Sequence, residues 1–176
     1  MQFSRPNIIK FVRSAGQRYW SEGRYPEDCY GVYKTDLRRL GNSWEYIELP
    51  NEHADLGVNG RLLVDSGSIS PGDGDSFFRC DWYVAAFSFL SGALECRHEK
   101  NHGSIQSFSF LLNAPDAMFE YAWANRILLL LRRMEATRQG KNEEWLFGPL
   151  PEAEILLSHD VDALDKTVAV RIKQAA

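Results

Sequence analysis

The sequence predicts a mixed α/β chain, with α+β as the alternative, in which residues 1–148 form one domain and residues 149–176 begin another. Three observations predict this class. Apolar residues recur at helical spacing near the start of the chain and through its second half. Short runs with strand character lie between these stretches, separated by turn residues. A short apolar run, Ala153–Leu157, follows a break with two prolines and has the pattern of a buried parallel strand.

Three helices are predicted from periodicity and capping residues. The first follows Pro6, where apolar residues recur at helical spacing. Asp81 can cap a second helix, which we expect to extend to about residue 96. The third covers about residues 113–138 and ends at Gly140. Because this third helix is apolar around most of its circumference, we expect it to be the central and most buried one.

Four strands are predicted by short apolar or alternating runs: Tyr30–Thr35, Trp44–Leu49, Arg61–Asp65 and Ile105–Leu112. The stretch Ser66–Ser76 is rich in Ser, Gly and Asp and is predicted to be an exposed loop.

Composition and charge exclude several classes of protein. The 176 residues are 44% hydrophobic and 25% charged, which is typical of a globular chain with a core. The net charge of −4 argues against a nucleic-acid or membrane-surface partner, because both favour a basic face. Cys29, Cys80 and Cys96 form no metal-binding spacing, so reduced thiols in a cytoplasmic protein are expected.

The segment Ser158–Asp162 combines two acids and a histidine at the predicted end of a strand. Asp160 and Asp162 are two positions apart, so both can project to one side of an extended chain, with His159 on the other. Two neighbouring carboxylates raise one pKa and attract a divalent cation, so one can act as a base and the other as a ligand. The alternative is a solvated strand end at which an Asp caps the next turn.

Two segments resemble a known family. Leu157–Asp162 is similar to the first motif of one branch of the polysaccharide deacetylase superfamily, in which His-Asp-Val-Asp replaces the commoner Thr-Phe-Asp-Asp-like end of the first barrel strand. Members of that branch have an additional N-terminal domain, and Asp81–Glu95 resembles its signature of Asp, Ala-Ala-Phe, Leu-Ser and Glu. His102-Gly103 lies where a His-Gly pair is usual. The resemblance covers roughly Phe77–Asp162.

The resemblance implies that residues 149–176 start a deacetylase-type (β/α) barrel and that the protein removes acetyl groups from a carbohydrate. It implies that Asp160 is the general base on a metal-bound water. Asp162 would be a metal ligand, although it lies one position beyond the usual adjacent Asp, and His159 could take its place. The metal would be divalent, with Zn²⁺ expected, and would polarise the N-acetyl carbonyl.

The later motifs of that family, including a two-histidine metal motif, do not fit in the 14 residues after Asp162. We therefore expect a truncated deacetylase that, as an isolated chain, is inactive and binds no metal. We expect its parent enzyme to act on a carbohydrate. Because the strand Ala153–Leu157 would lack its barrel neighbours, self-association of the chain is expected.

Two other functions are open on the sequence alone. The N-terminal domain could be a non-catalytic module that binds a glycan or pairs subunits, since aromatic residues are dense between Tyr19 and Tyr46. His98–His102 also reads HExxH, the pattern of a zinc peptidase, and Glu120 follows where a third ligand might come from. The polar residues inside the motif and the glycine directly after it favour an ordinary polar helix end instead.

Replacement of His98 by Ala tests the peptidase alternative. We expect the free energy of unfolding, measured by urea denaturation, to change by no more than about 0.5 kcal/mol, as is usual for surface positions. A larger loss together with release of bound zinc would contradict this expectation.

Overall fold

The computed structural model describes residues 4–21, 23–27, 40, 43–102, 115–150 and 152. Within them, the strands are β1 (Trp44–Glu48) and β2 (Arg61–Asp65). The longer helices are α1 (Arg5–Ala15), α3 (Trp82–Leu90), α4 (Ala93–His102) and α6 (Trp123–Arg138). The shorter ones are α2 (Ser76–Arg79), α5 (Ala117–Glu120), α7 (Glu143–Phe147) and the 3₁₀ helices Asn51–Leu56 and Ser66–Ser68. The chain is therefore mixed helix and strand, as the sequence predicts.

Strands β1 and β2 pair in antiparallel fashion, with Trp44 opposite Asp65. The connection between them includes Asn59–Gly60, where both residues have positive φ (52° and 75°), a conformation that asparagine and glycine tolerate best. Residues 62–64 of β2 are all buried, whereas Ile47 is the buried residue of β1. Strand β2 therefore lies against the core, and the predictions of both strands are confirmed.

The segment after β2 differs from the predicted exposed loop over Ser66–Ser76, because its first three residues form a buried 3₁₀ helix. The carboxylate of Asp65 accepts a hydrogen bond from the Gly67 backbone N–H at 2.8 Å. The hydroxyl of Ser68 donates to the carbonyl of Asp65 at 2.5 Å. These local bonds satisfy the polar groups and make their burial tolerable. Residues 71–75 are exposed, as predicted.

The side chain of Asp81 is buried and joins three parts of the fold. Its Oδ1 accepts a hydrogen bond from the Val84 backbone N–H at 3.2 Å, so it caps α3 as predicted. Its Oδ2 lies 2.7 Å from Nε of Arg5 on α1. Its backbone N–H donates to the carbonyl of Ser68 at 2.8 Å. Asp81 therefore fixes α1, α3 and the segment after β2 relative to one another.

Helix α1 packs against α3 through apolar side chains. Ile8 and Val12 are buried, and such side chains each stabilise the fold by about 1.5–3 kcal/mol when fully removed from water. The rings of Phe11 and Phe87 meet edge to face with centroids 5.5 Å apart. The prediction of a helix after Pro6 is confirmed, with Pro6 in the first turn.

The single helix predicted over residues 81–96 is two helices in the structure. Helix α3 ends at Leu90, where the Ser91 backbone N–H donates to the carbonyl of Phe87 at 3.1 Å. Gly92 then adopts φ = 59°, and α4 begins at the next residue. A left-handed residue ends an α-helix, and glycine adopts that conformation without steric cost. The apolar periodicity continues across this break, which is why the pattern alone predicts one helix.

The helix predicted over residues 113–138 is also divided. The short helix α5 follows Pro115, whose carbonyl accepts a hydrogen bond from the Met118 backbone N–H at 2.8 Å. Tyr121 is then extended (φ −134°, ψ 150°), and α6 begins at Trp123. The indole N–H of Trp123 donates to the carbonyl of Ala117 at 2.6 Å and holds the two helices at this bend. The predicted end of the helix is confirmed, since Gly140 has φ = 61°.

Helix α6 is buried along most of its length and contacts α3, α7, β2 and the first 3₁₀ helix. The prediction that this is a central, buried helix is confirmed. Its buried residues are Trp123, Ile127, Leu128, Leu130, Leu131, Arg132, Met134, Glu135 and Ala136.

Arg132 is a buried cation on α6 that binds backbone carbonyls. It donates to the carbonyls of Tyr19 at 2.5 Å, of Glu143 at 3.2 Å and of Gly148. Its Nε lies 3.3 Å from the carboxylate of Glu143. A buried charge is tolerated only when it is paired and hydrogen-bonded, and these groups meet that requirement. Arg132 thereby ties the segment after α1 and the helix α7 to the central helix.

Several predictions fall outside the described residues. They concern the strands Tyr30–Thr35 and Ile105–Leu112, the apolar run Ala153–Leu157, and the barrel start over residues 149–176, of which 149, 150 and 152 are described. In the part of the chain that the structure describes, no helix has the length and apolar character needed to cross a membrane.

Replacement of Asp81 by Ala tests its role in joining the helices. We expect the free energy of unfolding in urea to fall by about 2–3 kcal/mol, because the change removes both the cap of α3 and the buried carboxylate that forms the ion pair with Arg5. Asp75, an exposed residue, provides the control, since it caps α2 through the Phe77 backbone N–H at 2.9 Å. We expect Asp75→Ala to cost about 1 kcal/mol or less. Equal losses for the two variants would contradict the prediction.

Candidate functional site

The residues that the sequence predicts as a catalytic and metal-binding group lie outside the described residues. These are the predicted base Asp160 and the predicted ligands Asp162 and His159. Their roles are therefore those that the resemblance implies. Among the residues that are described, no three His, Cys, Asp or Glu side chains converge on a point where a metal could bind.

The other segment of the resemblance, Asp81–Glu95, is described, and its first eight residues lie in the core. Ala85 and Ala86 are completely buried, and Phe87 is buried beside them. Asp81, the first residue of the signature, forms the cap and the ion pair given above. These residues therefore support the fold of the domain. The alanines allow α3 to pack closely, and the ring of Phe87 adds apolar contact, where α3 meets α1 and α6.

Glu95 is the last residue of that signature and lies in the first turn of α4. An acid at this position is favourable because the helix N-terminus carries a partial positive charge. Its Oε2 is buried and has no hydrogen-bond partner among the described residues. A Cβ on Gly92 would lie 4.0 Å from that oxygen, which is an ordinary contact, so the positive φ of Gly92 and not crowding is what favours glycine there.

The HExxH sequence forms the last turn of α4, which ends at His102. Lys100 and Asn101 are exposed, while the side chains of His98 and Glu99 are half-buried. Glu120, the proposed third ligand, is exposed on α5. Polar residues on the solvent side are typical of a surface helix rather than of a dry catalytic centre.

A groove beside α1 is large enough for a small ligand, and the sequence did not predict it. Its volume is about 730 Å³, within the range of ligand sites in proteins. No Asp or Glu of the described residues lines it, although the chain carries a net charge of −4. We call this feature the α1 groove; its charged, polar and aromatic lining residues are Arg5, Lys10, Arg13, Ser14, Gln17 and Tyr25.

The guanidinium of Arg13 is held in place in the α1 groove by its neighbours. Its Nη2 donates to the carbonyl of Pro26 at 2.9 Å, and its Nε donates to the hydroxyl of Tyr83 at 3.4 Å. Its central carbon lies 5.6 Å from the ring centroid of Tyr25 and 5.8 Å from that of Tyr83. Cation–π contacts at this distance are attractive, so the arginine is fixed before any ligand binds.

One sequence signal could have revealed the α1 groove. Arg5, Ile9 and Arg13 follow one another at intervals of four residues and Lys10 is next to Ile9, which places all four on one broad face of a helix, away from buried Ile8. Helical spacing could not predict that Tyr25 lines the same groove, because Tyr25 lies ten residues beyond the end of α1.

The aromatic residues between positions 19 and 46 divide into packed and exposed ones. Trp20 is buried and Tyr19 and Trp44 are half-buried, so these three rings are packed against the rest of the chain. Tyr25 is 40% exposed and Tyr46 is 48% exposed, so these two present ring surface to solvent. Tyr30 and Tyr33 lie outside the described residues.

The chain matches no family model, no curated protein and no solved structure. The candidate sites are therefore judged by their own chemistry.

The two described cysteines are not bonded to each other. Cys96 is exposed and Cys80 is completely buried, with its sulfur 3.7 Å from the hydroxyl of Ser68. Burial raises the pKa of the Cys80 thiol, so it stays protonated and is not a nucleophile.

His53 is a buried titratable group away from the α1 groove. It is 5% exposed, its ring stacks on that of Phe77 with centroids 5.9 Å apart, and its Nδ1 has no hydrogen-bond partner among the described residues. Burial lowers the pKa of His53 below its usual 6.5, opposed by the negative charge of Glu52 and assisted by Arg133. The native state therefore favours the neutral ring.

We expect the free energy of unfolding to decrease as the pH is lowered, because His53 becomes protonated. Because the pKa of His53 is lower in the folded than in the unfolded chain, its contribution is complete above about pH 6.5 and declines as the pH falls toward the folded pKa. Urea denaturation between pH 7.5 and 5 measures this decline. In His53→Phe, which keeps a ring to stack on Phe77, the decline should be smaller. An unchanged pH dependence in that variant would show that other groups cause it.

Proposed function

We propose that this chain is the N-terminal part of a metal-dependent, polysaccharide deacetylase-like hydrolase that acts on the N-acetyl C–N bonds of a carbohydrate. The observation that carries the proposal is the ordered pair of segments Asp81–Glu95 and Leu157–Asp162. The first of them supplies the buried cap, the ion pair and the tightly packed alanines of the described core.

The proposed reaction is the hydrolysis of an acetamide. Water adds to the carbonyl carbon, the C–N bond breaks, and acetate and the free amino sugar are released. Asp160 would accept the proton of the attacking water and return a proton to the leaving nitrogen, which is the usual work of a carboxylate general base and acid. Asp162, or His159 in its place, would be a metal ligand. A divalent metal such as Zn²⁺ would supply polarisation of the carbonyl and a lower pKa for the water.

The described residues bear on binding rather than on this chemistry. The α1 groove and the exposed ring of Tyr25 favour a second candidate function, in which the N-terminal domain is a non-catalytic module that binds a glycan or a second subunit. The two functions are compatible, because an accessory domain can position the polymer for a catalytic domain in the same chain.

The 176-residue chain alone is expected to release no acetate from an acetylated amino-sugar polymer. Two carboxylates and one histidine leave part of a Zn²⁺ coordination shell to water, so metal affinity should be weak. Acetate assays and equilibrium dialysis with Zn²⁺ measure both expectations. Acetate release that Asp160→Asn abolishes in this same chain would contradict the proposal that further motifs are needed.

A longer chain, extended beyond residue 176 with further barrel strands and a two-histidine motif, tests the enzyme itself. We expect it to release acetate and Asp160→Asn to lower the rate by about 10²–10⁴-fold, as loss of a general base does. Asp165→Asn is the matched control, because it makes the same change three residues beyond the motif. Equal activity of the two variants would overturn the role of Asp160, and an inactive extended chain would favour the binding module.

A further inference from the structure

We infer that the α1 groove is a binding site for an anionic carbohydrate, whose negative group is held by Lys10 and Arg13 and whose sugar ring lies against Tyr25. The charge of the ligand follows from the groove itself. Its carbohydrate nature rests on the proposed function.

The charge balance of the groove points to an anion. Arg5 is neutralised by the buried carboxylate of Asp81, so it adds little net charge. No carboxylate of the described residues forms an ion pair with Lys10 or Arg13. Two cations that have no counter-charge among the described residues therefore face the same groove, in a chain that is acidic as a whole. Such a local field attracts an anion, and the cost of bringing these two cations together is recovered when it binds.

The geometry of Arg13 suits a bound carboxylate. Its described hydrogen bonds use Nε and Nη2, which leaves Nη1 free of a partner among the described residues. The bonds to Pro26 and Tyr83 and the two ring contacts restrict its motion. A fixed guanidinium loses little entropy on binding and forms charge-assisted hydrogen bonds, which are stronger than neutral ones. Lys10 is exposed on the same face of α1 and can add a second, more mobile charge.

The remaining lining suits a sugar rather than a bare anion. The ring of Tyr25 is 40% exposed, and the C–H face of a pyranose packs on such a ring. Ser14 and Gln17 are exposed on the same side of the helix and can exchange hydrogen bonds with sugar hydroxyls. The groove volume of about 730 Å³ is larger than a small inorganic ion requires. A sugar that carries a carboxylate satisfies the charged, aromatic and polar parts of the groove together.

Calorimetric titration of the 176-residue chain with trigalacturonate tests the inference. We expect binding that weakens as salt is added, because the exposed charges of the groove are screened. Lys10→Gln should weaken it by about tenfold, as loss of one charge-assisted contact does. Lys10 is exposed, so this variant should fold even if Arg13→Gln, which removes contacts within the fold, does not. Lys100→Gln, an exposed lysine on α4, is the matched control and should bind as the unchanged chain does.

Two further ligands separate the charge from the sugar. The fully methyl-esterified trisaccharide has the same rings without the charges and should bind at least about tenfold more weakly. Inorganic phosphate supplies charge without a sugar and should also bind more weakly than trigalacturonate.

The inference would be overturned if trigalacturonate did not bind, or if the neutral ester or phosphate bound as tightly as trigalacturonate. It would also be overturned if Lys100→Gln weakened binding as much as Lys10→Gln does. Because none of these measurements depends on acetate release, failure of the groove and failure of the deacetylase proposal are separate results.

Discussion

The buried ion pair between Asp81 and Arg5 is the interaction on which the arrangement of the described helices depends. A carboxylate with 1% exposure is tolerated only when its oxygens are satisfied, and here one caps α3 while the other receives the guanidinium of α1. The same pair determines the electrostatics of the α1 groove. Since Asp81 neutralises Arg5 from the protein side, the positive charge that remains for a ligand comes from Lys10 and Arg13. Core packing and ligand binding therefore depend on the two opposite faces of one helix.

Arg132 has a corresponding role at the other side of the core. Its buried guanidinium donates hydrogen bonds to carbonyls of the segment after α1 and of the region of α7. Two parts of the chain that are far apart in sequence therefore bind the same side chain. Its pKa is lowered by burial, and the carboxylate of Glu143 offsets part of that effect. In both ion pairs, a buried charged group connects elements that are far apart in sequence.

Much of the local structure could be predicted from the sequence, because it depends on neighbouring residues. The helix after Pro6, the cap at Asp81, the strands β1 and β2 and the helix end at Gly140 all follow from signals within a few residues. The divisions at Gly92 and Tyr121 could not be predicted in the same way. The apolar pattern continues across both positions, and the contacts that favour a bend, such as the indole of Trp123 on the carbonyl of Ala117, exist only once the chain has folded.

For function, the sequence by itself provided the two motifs of the resemblance, because residue types and their order need no coordinates. The roles of Asp160, Asp162 and His159 are those that the resemblance implies, and they stay predictions. Only the tertiary structure decided that Asp81 and the residues directly after it support the core, and that a groove beside α1 has no carboxylate among its described lining residues. The physical reason is that burial and charge balance depend on residues far apart in sequence. Asp81 neutralises Arg5 from 76 positions away, and Tyr83 binds Arg13 from 70 positions away.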